Sequence, residues 1–161
     1  MQKIYLSLLL LLLSGCLSLA VQDITVEDDK FKSETFICSQ AINEYNSTLS
    51  YKICRYKKAD GTHKDFIYGA VEYSAPVPLE YKEAIDVNKQ KLKVTSKDDR
   101  RLGITINEFS VMLPEGYIYK NDDIEIKIYG VSHNSILRVS MLTVMALREK
   151  IKEVEANKAT K

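Results

Sequence analysis

Isoleucine recurs at every second position from Ile124 to Ile128, alternating with Asp123, Glu125 and Lys127. A period of two puts the three isoleucines on one face of an extended strand and the charges on the other. That is the pattern of a sheet with one face buried and one in water. A helix would scatter the same residues around its axis. The chain therefore has to supply further strands and a core for this one to pack on.

Residues 24–27 and 34–38 read as short strands, and residues 39–47 as a loop or one helical turn. The runs 48–57 and 65–74 are rich in β-branched and aromatic side chains, and Asp60-Gly61 between them signals a hairpin turn. Pro76 and Pro78 then interrupt pairing, because proline has no N–H to give a ladder. A second hairpin is expected from residues 84–87 and 91–95 around Asn88-Lys89-Gln90, followed by a charged loop over 96–101. Residues 104–113 form a long strand that Pro114-Glu115-Gly116 ends, and residues 117–121 a helical turn or extended bridge. Residues 136–139 return as the partner of the isoleucine strand. Ser140 then stands as the N-cap of a helix in which Val144, Leu147, Ile151 and Val154 recur at spacings of three and four. The fold class expected is α+β, mainly β: an antiparallel meander or sandwich-like sheet closed by one C-terminal amphipathic helix.

The amino terminus is of a different kind. Lys3 precedes an apolar run from Ile4 to Leu13, too short to span a bilayer, which needs roughly 20 apolar residues. Its length and flanks are those of a secretory signal peptide. The run ends in Leu13-Ser14-Gly15-Cys16, which resembles the lipobox of bacterial lipoproteins: an aliphatic residue, two small ones and a cysteine. The resemblance implies cleavage before Cys16, whose sulfur carries the lipid, and several acyl chains at about 0.8 kcal/mol per CH₂ hold such a protein on its membrane. The residue after the cysteine, Leu17, is not the aspartate that retains many such lipoproteins on the inner membrane, so the resemblance implies the outer membrane where one exists. Ser18-Leu19-Ala20 offers the alternative of ordinary signal-peptidase cleavage and a soluble periplasmic or secreted chain starting at Val21. The organisation expected is a removed signal peptide (1–15), a lipid anchor with short linker (16–32), one globular domain (33–156) and a frayed tail (157–161).

The last third resembles, weakly, a group of small uncharacterised bacterial lipoproteins with a β-sandwich-like domain. The matching residues are Ile126-Lys127-Ile128-Tyr129-Gly130 and the stretch from Val139-Ser140 to Leu147. Where that group often has a Tyr-Tyr-Asp cluster after the glycine, this chain has Val131-Ser132-His133-Asn134. The group carries no activity to transfer.

With Cys16 lipidated or removed, Cys38 and Cys54 remain, and an isolated pair in an oxidising envelope forms a disulfide. Lys3 is the only charged residue of the leader, so the remaining basic residues balance the 22 acidic ones. Without a basic surplus there is no electrostatic case for nucleic acid as a partner.

Chemistry is sparse. Only His63 and His133 offer an imidazole base, both lie in turns, and no Gly-x-Ser-x-Gly elbow accompanies them. Two lone histidines and a cysteine pair outside any Cys-x-x-Cys spacing do not make a zinc site. Asp98-Asp99 and Asn121-Asp122-Asp123 gather oxygen ligands without the spacing of a calcium loop. No catalytic residue, metal or cofactor is therefore expected. The chain has ten tyrosines and no tryptophan, and Tyr68, Tyr73, Tyr117 and Tyr119 are candidates for a recognition surface, with sheet packing as the alternative. The function expected is an envelope lipoprotein acting as a structural or interaction module, its partners the membrane and another envelope protein. The alternative is a small-ligand or ion-binding module, ahead of an enzyme.

Overall fold

The computed structural model describes residues 23–29, 32–44, 47–74, 78–101 and 103–159. The signal peptide and Cys16 lie outside the described residues.

Among the described residues, ten strands and two helices follow in order: β1 (Ile24–Asp29), β2 (Glu34–Ser39), β3 (Ile42–Asn43), β4 (Ser50–Lys57), β5 (His63–Tyr73), β6 (Tyr81–Asp86), β7 (Lys91–Arg101), β8 (Ile104–Leu113), α1 (Tyr117–Lys120), β9 (Ile124–Gly130), β10 (Asn134–Val139) and α2 (Met141–Ala159). They form one antiparallel sheet in the order β1-β2-β4-β5-β8-β7-β6-β9-β10, with β3 on β4. The mainly-β expectation and both hairpins hold.

The simple meander does not. β5 pairs not with β6, the next strand in the chain, but with β8, Asp65 opposite Leu113 through Tyr73 opposite Thr105. β6, β7 and β8 are joined by hairpins, and β9 returns beside β6, which is a Greek key. The expected loop over 96–101 is also corrected: those residues are the second half of β7, paired with β8 from Ser96–Phe109 to Arg101–Ile104.

Alternation then sets the core. Tyr51, Ile53, Ile67, Val71, Phe109, Val111, Ile124, Ile126, Ile128 and Leu137 are buried on one face. Gly69 sits among them because a Cβ there would come within 2.6 Å of the Phe109 ring and 2.8 Å of Tyr51 Cβ. A register shift between Tyr81 and Glu83 in β6 lets both Tyr81 and Ala84 face inward.

The sheet curls back on itself. The Tyr51 hydroxyl, on β4, donates to the Arg138 carbonyl of the last strand at 2.9 Å and accepts from the Arg138 N–H at 2.8 Å. The Tyr81 hydroxyl lies 2.9 Å from Ser135 Oγ, and its ring packs edge-on against Phe109 at 5.1 Å.

Ser140 caps α2 as expected: the Thr143 N–H donates to its Oγ at 3.4 Å and the Val144 N–H to its carbonyl at 3.1 Å. Val144, Leu147 and Ile151 are buried and Val154 packs against the core. The helix runs to Ala159, and alanine and lysine are strong helix formers. Arg148 ties α2 to the α1 segment, donating to the Ile118 and Asn121 carbonyls and pairing with Asp122. No helix among the described residues is long and apolar enough to cross a membrane.

Because every pairing is antiparallel, the connections fall at two ends. The β4–β5 and β6–β7 turns, α1 and the start of α2 share one end, hereafter the helix end. The start of β1, the β7–β8 and β9–β10 turns and the β5–β6 connection share the far end.

Candidate functional site

The most built polar group lies on the inner face near the helix end. The β4–β5 hairpin places Arg55 opposite Asp65, and both side chains are almost wholly buried, 3% and 2% exposed. The guanidinium meets the carboxylate with two bonds, Nε to Oδ1 at 2.7 Å and Nη2 to Oδ2 at 2.9 Å. Nη1 donates to the Tyr119 hydroxyl at 3.0 Å, the Tyr119 ring lies 5.3 Å from the guanidinium carbon, and Glu155 of α2 stands at 3.8 Å. Burial opposes the charge on Arg55, but the hydrogen bonds and charge of Asp65 outweigh it, so its pKa is raised.

Beside this pair opens a concavity of about 420 Å³ lined by Thr62, His63, Lys64, Asp65, Leu113 and Glu115, among others. Its lining carries the ammonium of Lys64 and the carboxylates of Asp65 and Glu115. It can hold a small polar ligand by charge, but Asp65 is already committed to Arg55.

The outer face of the same strands carries a second feature. Phe36 of β2 and Tyr56 of β4 are opposed, with ring centroids 4.9 Å apart, and with Phe66 and Met112 they line an apolar cleft of about 250 Å³ with Lys64 at its rim. The Tyr56 hydroxyl donates to Glu34 at 2.5 Å, and that hydrogen bond raises its pKa to about 12. Two residues along the same strand pair, Cys38 of β2 and Cys54 of β4 are opposed and form a disulfide, buried at 6% and 1% exposure. The bond expected from the cysteine count thus braces the cleft-bearing strands.

The four candidate tyrosines do not form one surface. Tyr68 is on the outer face at 37% exposure, with burial raising its pKa. Tyr73 is half-buried on the inner face, its ring 5.5 Å from His133. Tyr117 is interior: its hydroxyl donates to Asp86 at 2.9 Å, and burial, then Asp86, raise its pKa. Only Tyr119, at 43% exposure, faces both solvent and the buried Arg55. Strand parity could separate Tyr68 from Tyr73, but nothing local to Tyr117 announced Asp86 as its partner.

His63 and His133 lie at opposite ends of the sheet and form no pair. The acidic stretches hold structure together. Asp98 accepts from Asn107 Nδ2 at 2.6 Å and from the Leu79 N–H at 3.2 Å, while Asp123 accepts the Met141 N–H at 2.7 Å. Among the described residues no cluster of three or more His, Cys, Asp or Glu is placed to hold a metal ion.

No known family model, curated protein or solved structure matches this chain.

Proposed function

We propose that the protein is an exported, lipid-anchored envelope protein, held through Cys16, whose disulfide-braced sheet is an interaction module for another envelope protein. We read the curled sheet as a sandwich-like shell closed by α2. The observation that carries the interaction reading is the outer-face cleft of Phe36, Tyr56, Phe66 and Met112, an apolar concavity lined by strand residues with no helix residue among the described residues that line it. Aromatic rings and a methionine at the rim of a rigid surface are the side chains that anchor protein partners, because they add apolar area at low entropic cost. Lys64 at the rim favours an apolar segment that carries a carboxylate. The lipobox supports the address, and the Cys38–Cys54 bond fits an oxidising compartment.

The test is a photo-crosslinking residue at Phe66 or Met112 in the full chain, expressed in its native host. A discrete protein cross-linked from position 66 that disappears with Met112→Lys supports the reading. Absence of any adduct at both positions, with adducts from control positions on β6, refutes it. A second reading, a small-ligand module, is favoured by the concavity beside Asp65. It predicts a ligand-dependent rise in melting midpoint, which Lys64→Ala and Glu115→Ala together abolish.

A further inference from the structure

The lipid anchor and the topology together bear on which part of the molecule meets the membrane. The chain reaches β1 from the far end of the sheet, and Ile24 is its first strand residue. Between Cys16 and Asp23 lie six residues, which span at most about 25 Å when extended. The tether therefore leaves on the side where the β5–β6, β7–β8 and β9–β10 connections lie.

Two of those connections carry exposed aliphatic residues where turn chemistry favours polar ones. Ile104 follows the Gly103 turn at 39% exposure, and Val131 lies in the β9–β10 turn at 53%. Both lie at the far end, on turns linked through Tyr73: its ring is 5.5 Å from that of His133, two residues after Val131, and it pairs with Thr105, the residue after Ile104. Arg100, opposite Thr105, adds an exposed cation. The helix end also exposes apolar residues, namely Val87, Tyr119, Met141, Leu142 and Met145. Exposure alone thus does not choose between the ends, whereas the point from which the tether leaves does.

We infer that the far end of the sheet rests on the lipid surface, with Ile104 and Val131 in the interfacial layer, and that the helix end points away from the membrane. This rests on the lipid-anchor reading above. Two shallow aliphatic contacts add little to the affinity of an acylated cysteine, and their effect is to orient the domain. The helix end, with the concavity beside Asp65 and the Met141, Leu142 and Met145 cluster, is then the part offered to the aqueous compartment.

The test uses the full chain, processed by its host and reconstituted in phosphatidylcholine vesicles. A single cysteine at Ile104, Val131, Val87 or Met145 carries an environment-sensitive fluorophore, and a lipid-borne quencher reports depth. Severalfold stronger quenching at 104 and 131 than at 87 and 145 is expected. Equal quenching at all four, or stronger quenching at 87 and 145, overturns the orientation while leaving the anchor intact. The acyl mass on the N-terminal peptide is read from the same samples. A chain that lacks it and does not float with vesicles overturns the anchor and the orientation together.

Discussion

Replacing Asp65 by alanine should be among the most damaging single changes in the molecule. It leaves the Arg55 guanidinium buried, with only the Tyr119 hydroxyl bonded to it and Glu155 at 3.8 Å. Breaking one side of a buried ion pair costs about 3–5 kcal/mol, because the remaining charge keeps its desolvation penalty without its partner. At roughly 3–5 °C per kcal/mol for a domain of this size, the melting midpoint should fall by about 10–20 °C. Replacing both residues with apolar ones of similar size, Arg55→Met with Asp65→Leu, should recover most of the loss, since neither charge is then buried. Urea and thermal unfolding followed by circular dichroism, with the disulfide intact, measure both. A loss below about 1 kcal/mol in Asp65→Ala, the range of a solvent-exposed pair, would refute the reasoning, as would a double variant no better than the single.

Tyr51→Phe removes both hydrogen bonds to Arg138 and leaves that backbone pair without its partner on the sheet edge, a cost of about 1–3 kcal/mol by urea denaturation. Gly69→Ala drives a methyl group into Phe109, Tyr51 and the Ser50 carbonyl, so a loss of at least about 1–3 kcal/mol is expected, and a neutral result would contradict the packing. Removing the disulfide through Cys38→Ala with Cys54→Ala should cost about 3 kcal/mol from restored loop entropy, read as a lower urea midpoint at unchanged ligand and salt. Burial raises the pKa values of Tyr51, Tyr81 and Tyr117 above the ordinary 10.0, so the unfolded chain loses these protons first. Stability from these groups is therefore complete well below pH 10 and falls as pH rises through and beyond it, which urea midpoints at pH 8, 10 and 11 will show as a small decline to pH 10 and a steeper one above it.

Local pattern made much of the fold legible. The Ile124, Ile126 and Ile128 alternation, the Asp60-Gly61 hairpin and the Ser140 cap with its Val144, Leu147 and Ile151 stripe all read correctly, because each depends on neighbours in sequence. What escaped depends on distant partners. Residues 96–101 look like a loop since their inward positions are polar, yet Ser96 and Asp98 are satisfied by Asn107 on β8. The β5–β8 pairing joins segments that no turn links directly, so a meander was the simpler expectation. The Arg55–Asp65 pair was in principle within reach: a hairpin centred on Asp60 places them opposite each other. The apolar cleft was not, because Phe36, Phe66 and Met112 come from three strands whose shared face emerges only with the sheet order.

The measurement that bears most directly on the central claim is the mass of the mature N-terminal peptide from protein made in its native host. A first residue Cys16 bearing acyl chains is predicted. An unmodified peptide beginning at Val21 would contradict the lipid anchor and every inference that hangs from it.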